Sequence, residues 1–521
     1  MKSSKVRMLA HGLCATLAVW SLAPSAWAGM GHTYYVATTG DDNAAGTLDA
    51  PWRTIGRAAR SVLAGDTVYV RGGIYKETVD VRQSGSAAAG PIVFASYPGE
   101  TAALNGSGLV VPAGAMRGLW NLNNVSYVTI QGFDVGYYST NSSTATPVGI
   151  YISGGGSQVQ ILGNRIHDIV NKLERCPNGN AFGIEVYAND PATSISGLTI
   201  DGNEVDHLRL GCSESLSLTG NVEQWTISNN KVHDNDNIGI AALGFESMVT
   251  SSGSTFRSQA RDGVISGNTV YNISSQGNPA YPAGDFSSDG IYVEGGTRIV
   301  IERNLVQQAD IGIELACETS GRFTSNVTAR NNLVQFSNVT GISIGGASSS
   351  NGGTQNATIV NNTLFRNDTQ ATGSGEFQIQ YHASGTVFEN NLLYANSNGL
   401  LVNFWPGASG NAGYGNPGTI DHNLYFADGG VDNANWIWLG KSYTGVSAYR
   451  SASHSDQATV LADPQFQSIT TTPPDLHVSA TSPAKGTGLL LPSTTVGTLD
   501  YAGQPRLSSA GLIDIGAYQQ P

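Results

Sequence analysis

Charge is scarce in this chain. Only 12% of its 521 residues are Asp, Glu, Lys or Arg, and acids outnumber bases to give a formal net charge of −13. Such a surface repels nucleic acid and anionic lipid, so neither is an expected partner. It also repels polyanionic glycans unless a cation or a local basic patch intervenes. Cysteine is scarcer still, at four residues, which excludes a disulfide-built scaffold. After the first 28 residues no apolar run is long enough to span a bilayer, so no membrane-spanning helix is expected. Runs with helical period are nearly absent. The abundant Gly, Asn, Ser, Thr and Val favour many short strands joined by turns.

Residues 1–28 read as a signal peptide: basic Lys2, Lys5 and Arg7, an apolar run from Met8 to Leu22, and a small-x-small cleavage site at Ala26-Trp27-Ala28. Its removal predicts a secreted or periplasmic protein with a formal charge of about −16. Cys14 leaves with it. Of the remaining Cys176, Cys212 and Cys317, a Cys176–Cys212 bridge suits an oxidising compartment.

What the chain does have is a repeat. Asn followed by an x-Ile/Val/Leu step recurs at Asn164, Asn203, Asn230, Asn268, Asn304, Asn332, Asn362, Asn391 and Asn423, at intervals of 27 to 39 residues. Between these lie strands that begin Gly-Ile, at Gly149, Gly183, Gly239, Gly290, Gly312 and Gly341, and a third strand such as "VQILG" or "WTISN" precedes each Asn. Three short strands per turn with a recurring Asn predict an all-β parallel β-helix, its Asn side chains stacked in a ladder at one bend. Residues 52–65, "WRTIGRAARSVLAG", predict a capping helix with Ile55, Ala59, Val62 and Leu63 on one face. The segments "ADPQF", "DLHV", "SPAKGTG" and "DIGAYQ" are expected to close the other end. The expected divisions are 29–125, N-terminal cap and first rungs; 126–430, core with a groove; and 431–521, C-terminal rungs and cap. Capped ends predict a monomer.

Strand alternation then places the acids. With Ile291, Val293, Ile313 and Leu315 facing inward, Tyr292, Glu294 and Glu314 face outward on neighbouring rungs. One rung step and two residue steps put the Cα atoms of Glu294 and Glu314 roughly 8 Å apart, within the range used by glycosidase carboxylate pairs. Glu185 and Tyr187 share that face about 19 Å away, as substrate-binding candidates with Tyr292 and Trp405. Asp289 opens the Glu294 strand and is a third acid. Asp234 and Asp236 sit at the preceding turn, where they serve as turn formers or, with Asp289, as Ca²⁺ ligands.

The opening "YYVATTGDDNAAGTLDAPWRTIGRAARSVLAGDTVYVRGGIYKE" and the closing "DIGAYQ" resemble secreted bacterial right-handed parallel β-helix proteins that act on carbohydrates. Among these are the family 9 polysaccharide lyases and the family 120 β-xylosidases. The lyase likeness implies a calcium cluster of Asp residues followed by a catalytic Lys. Here Ser288 and Tyr292 stand where acids would be needed, and Glu314 where the Lys would fall. The β-xylosidase likeness implies Glu294 as nucleophile, though with Glu in place of Asp, and Glu314 as acid/base. A glycosidase of this kind needs no cofactor. The expectation is therefore a secreted enzyme that cleaves a poly- or oligosaccharide by hydrolysis. Calcium-assisted lysis of a uronan is the alternative, and a non-catalytic glycan-binding β-helix the second alternative.

Overall fold

The computed structural model describes residues 31–246, 258–405 and 417–520. The segment read as a signal peptide lies outside the described residues, as does Cys14. The expected β-helix is what the chain forms. The turns contribute strands to three sheets, of nineteen, thirteen and thirteen strands among the described residues, parallel except for one antiparallel pair, Asn435–Trp438 with Lys441–Thr444, at the edge of one of them.

One thirteen-stranded sheet carries the outward acids. Nine of its successive strands are β1 (Thr146–Ser153), β2 (Phe182–Ala188), β3 (Leu216–Gly220), β4 (Ile240–Leu243), β5 (Asp289–Glu294), β6 (Ile311–Ala316), β7 (Thr340–Ile344), β8 (Phe377–Ile379) and β9 (Leu400–Phe404). Inside, Ile184, Leu216, Ile240, Ile291, Ile313, Ile342 and Phe377 stack as register partners and are fully buried. Each such side chain contributes about 1.5–3 kcal/mol by leaving water. The repeated Gly before the Ile has a steric cause. A Cβ on Gly290 would meet Val306 at 2.4 Å and one on Gly312 would meet Val334 at 2.3 Å, so the neighbouring sheet's Val ladder occupies that space.

The Asn ladder is complete from Asn164 to Asn423. The backbone N–H and Nδ2 of Asn164 both donate to Oδ1 of Asn203, at 2.9 and 3.0 Å. The same two bonds recur on every rung down to Asn391 and Asn423. Burying these amides is tolerable because each finds a partner.

The ends differ from expectation. The capping helix α1 spans only Ile55–Ala59, with Thr54 as its N-cap. Ile55, Ala58, Ala59 and Val62 are buried. Leu63, expected on the buried face, is 68% exposed, because the chain has left the helix and is entering the turn at Gly65 (φ 92°). At the other end α2 (Val446–Ser453), which the sequence pattern did not reveal, packs on the last rung and stacks Tyr449 on Trp436. The segments expected to close that end run back along the flank instead. Asn331, Asn361 and Asn390 donate to carbonyls of Val496, Asp514 and Leu489, and buried Arg506 reaches Asn331.

Candidate active site

The outward face of the sheet carries one line of register partners: Tyr151, Glu185, Ser217, Ala241, Tyr292, Glu314, Ser343, Gln378 and Asn403. Two residues further along each strand, Tyr187, Thr219 and Leu243 are partners on β2 to β4, and Glu294 lies beside Ala316 on β5 and β6. The two-residue offset between Glu294 and Glu314 is therefore as the alternation argument had it.

A cavity of about 520 Å³ opens over this face. Glu185, Glu294, Tyr187 and Tyr292 line it, together with Glu214, Glu246, Glu318 and Tyr281, which the sequence pattern did not single out. Among the described residues no Lys, Arg or His lines it. Among the described residues two loops build its walls. The loop around Pro177 and Asn180 is tied by the Cys176–Cys212 disulfide, Cα–Cα 5.5 Å, and Cys212 itself faces the cavity. The loop over residues 274–288, which leads into β5, brings in Tyr281, whose hydroxyl donates to Asn237 at 3.2 Å. Asp310 holds both ends of that loop by accepting from the N–H of Ser275 and of Ser288, at 2.8 and 3.1 Å.

Crowding these acids away from water makes them hold their protons. Burial pushes the Glu185 carboxyl up to about 8, against the opposing hydrogen bonds of Ser217 and Thr219. Glu185 is 1% exposed and its Oε2 has no hydrogen-bond partner. Burial also raises Glu294 well above the usual carboxylate range. The charges of Glu318 and Glu246 add to this, and the N–H of Glu318, 3.4 Å from Glu294 Oε1, opposes it. Glu214 is raised by burial and then by Glu185. Glu246, at the rim, is raised by partial desolvation and then by Glu318.

Glu314 and Asp289 are close to this cavity but do not line it. They form a carboxyl pair of their own beside Tyr292. Burial raises both, and the Glu314 charge and the contact between the two carboxyls push Asp289 up further. Ser343 Oγ donates to Glu314 Oε1 at 2.9 Å. Asp289 Oδ1 is buried without a partner.

The remaining candidates are elsewhere. Trp405 lines a second cavity of about 440 Å³ on the same face, beyond β7. Asp234 and Asp236 line a third, of about 880 Å³, over a different sheet, so the structure does not bring them to Asp289. Burial would raise Asp234, but hydrogen bonds from Asn272 and His233 outweigh it and hold the carboxyl low. Burial lifts Asp236 to about 7, although its Oδ2 lies 3.5 Å from Arg209 Nε. This larger cavity holds acids already engaged by bases. Glu204, Asp206 and His233 converge nearby in a ligand-like cluster, but Lys231 pairs with Glu204 and Arg165 with Asp206, at 2.9 and 2.8 Å, so cations already neutralise it.

Comparison with known proteins agrees with the architecture. Residues 34–202 match the family model "Pel9A-like, right handed beta helix region", and residues 214–393 match "Right handed beta helix region". The uncharacterized protein YwoF of Bacillus subtilis is 36% identical over 440 residues, which is 84% of this chain and 89% of YwoF. Pectate lyase PEL9 of Emericella nidulans is 36% identical over 119 residues, 21% of this chain and 29% of PEL9. Among solved structures, XylC in complex with xylose superposes with a TM-score of 0.50 at 13% identity. That match covers 94% of this chain and 98% of XylC, and it speaks for the fold alone.

Proposed function

The chain belongs to the family of right-handed β-helix proteins that includes YwoF of Bacillus subtilis, and on that premise we propose that it is an exported enzyme hydrolysing glycosidic bonds of a neutral glycan in the acidic cavity. The observation that carries this reading is one cleft in which burial raises Glu185, Glu214 and Glu294 above the usual carboxylate range while Glu318 stands exposed at the rim. Glycoside hydrolysis asks for that division between a proton donor and a second carboxyl group. Glu294 gives its proton to the leaving oxygen as the C1–O bond breaks. Glu318, whose charge is the largest influence on Glu294 after burial, supplies the second carboxyl, which attacks C1 or activates the water that does. Tyr187, Tyr281 and Tyr292 offer ring faces to the sugar. Glu314 and Asp289 act from beneath, holding the strand that carries Tyr292 and Glu294. Among the described residues no basic side chain joins the lining, which favours an uncharged sugar over a uronate.

Calcium-assisted elimination draws support from the Pel9A-like match over residues 34–202 and from the clustered carboxyl oxygens, which suit Ca²⁺. Against it, the described lining offers no Lys to abstract a proton and no Arg to meet a uronate carboxylate. The test is a panel of neutral and uronate-containing polysaccharides, with and without chelator. Reducing ends and the ultraviolet absorbance of unsaturated uronate are read together. Reducing ends without that absorbance, indifferent to chelator and lost in Glu294→Gln, support hydrolysis. Absorbance that chelator abolishes overturns it in favour of the lyase.

A further inference from the structure

Beyond the acidic cavity the same face changes character, and this second region has its own chemistry. The cavity at Trp405 is lined by Gln378, Gln380, Asn403, Tyr381 and Ser374, with no acid and no base among the described residues. Asn403 is 6% exposed. Its Nδ2 donates to the carbonyl of Gly373 at 2.9 Å, which fixes which way the amide points. Its Oδ1 is left buried without a partner. A buried amide oxygen without a donor is costly, and one that lines a cavity is an acceptor waiting for a ligand hydroxyl. Trp405 is 45% exposed and packs against Gly440, where an added Cβ would meet its ring at 3.0 Å. One side of the ring is thereby held in place while the residue lines the cavity.

The amides around it are oriented by a hydrogen-bonded chain. Gln380 Nε2 donates to Ser343 Oγ at 2.9 Å and to Gln378 Oε1 at 3.3 Å. Gln378 Nε2 donates to Ser374 Oγ at 3.3 Å. The chain ends on Glu314 through Ser343. Fixed amide dipoles, an unfilled acceptor and a held aromatic ring match the two surfaces of a sugar, hydroxyl edge and apolar face.

We infer that this cavity is a binding subsite for an uncharged glycosyl unit, remote from the bond that is cut. The inference rests on the carbohydrate reading of the acidic cavity and extends it. From Glu294 on β5 to Asn403 on β9 is four rung steps, about 19 Å at the usual strand spacing. A substrate that fills both regions is therefore longer than a disaccharide and runs along the β-helix axis. Among the described residues of the lining a uronate finds no cation to pair with.

The test is direct binding, independent of turnover. Xylohexaose, cellohexaose and mannohexaose, with hexagalacturonate as the anionic control, are titrated calorimetrically into the full-length protein and into Trp405→Ala and Asn403→Ala. Thermal unfolding is followed in parallel to establish that each variant is folded. At least one neutral hexamer binds, its Kd rises about tenfold in each variant, and the corresponding disaccharide is unaffected. Unchanged affinity in both folded variants, no binding of any neutral hexamer, or preference for hexagalacturonate overturns the inference. Binding that depends on Trp405 in a protein that cuts none of these glycans leaves the subsite standing and removes the hydrolytic reading instead.

Discussion

The two halves of one groove make the informative comparison. From β2 to β5 the outward line and its flanking turns carry carboxyls; from β7 to β9 the corresponding positions carry Ser343, Gln378 and Asn403. The parallel pairing and an inward apolar stack continue across the boundary, through Ile342, Phe377 and Val402, so the scaffold does not distinguish the halves. The difference lies in side chains at equivalent positions and in what the turns add. The acidic half is walled by a disulfide-tied loop and by the loop fastened to Asp310, and it keeps protons on buried acids. The amide half keeps neutral donors and acceptors in fixed directions. Glu314, bonded to Asp289 on one side and Ser343 on the other, is where the halves meet. A repeat scaffold can thus divide chemistry from recognition along its axis without altering its core.

Four perturbations sharpen or break that division. The largest effect is expected from Glu294→Gln, which removes the proton donor while keeping shape. It lowers kcat by about 10²–10⁴-fold with hexamer affinity retained, as read by steady-state kinetics beside calorimetry. Equal loss of binding and turnover would place Glu294 in recognition rather than chemistry. Next, Cys176→Ser with Cys212→Ser opens a link spanning 36 residues. It costs about 3 kcal/mol in denaturant unfolding and weakens cleavage more than binding at Trp405, because only the acidic half is walled by that loop.

A pH effect follows from Glu185. Its folded carboxyl titrates near 8, above the ordinary value of 4.5. The folded state therefore keeps a proton that the unfolded chain gives up. That contribution to stability is whole below about pH 4.5, declines as pH rises, and is gone above about 8. Glu185→Gln flattens this decline in thermal melts taken across the range, and an unchanged slope would show that Glu185 does not hold its proton. The smallest effect belongs to Ser343→Ala, which cuts the chain between Glu314 and Gln380. One neutral hydrogen bond is worth about 1 kcal/mol, so a several-fold rise in KM for hexamers with kcat nearly constant is expected. A fall in kcat alone would tie Glu314 to the chemistry more closely than its position suggests.

Much of this was readable from the sequence, for physical reasons that also mark where reading stops. The Asn ladder and the Gly-Ile steps recur because each rung repeats one steric problem, so periodicity exposed the fold. Alternation placed Glu185, Tyr187, Tyr292 and Glu294 on one face because strands have a fixed parity. Glu214, Glu246 and Glu318 escaped because they sit where strands give way to turns, and a turn has no parity to read. The "CSES" and "GFES" steps that hold the first two could have drawn notice as acids at rung ends beside the Glu185–Glu294 face. Glu314 was placed on the correct strand and face, but its pairing with Asp289 depends on a buried contact between rungs that spacing does not disclose. Asp234 and Asp236 looked near Asp289 because consecutive rungs are adjacent, yet the bend turns them toward another sheet. At the C-terminus the strand-like segments were evident, whereas their return along the flank is set by Asn331, Asn361 and Asn390, which the repeat gave no reason to select.

The central claim is that the acidic half cuts by adding water across the bond. Products formed in heavy-oxygen water and weighed by mass spectrometry test it most directly. The account predicts one labelled oxygen for every cut and saturated sugar ends, with no product from Glu294→Gln. Unlabelled products lighter by one water, carrying an unsaturated uronate, would contradict it.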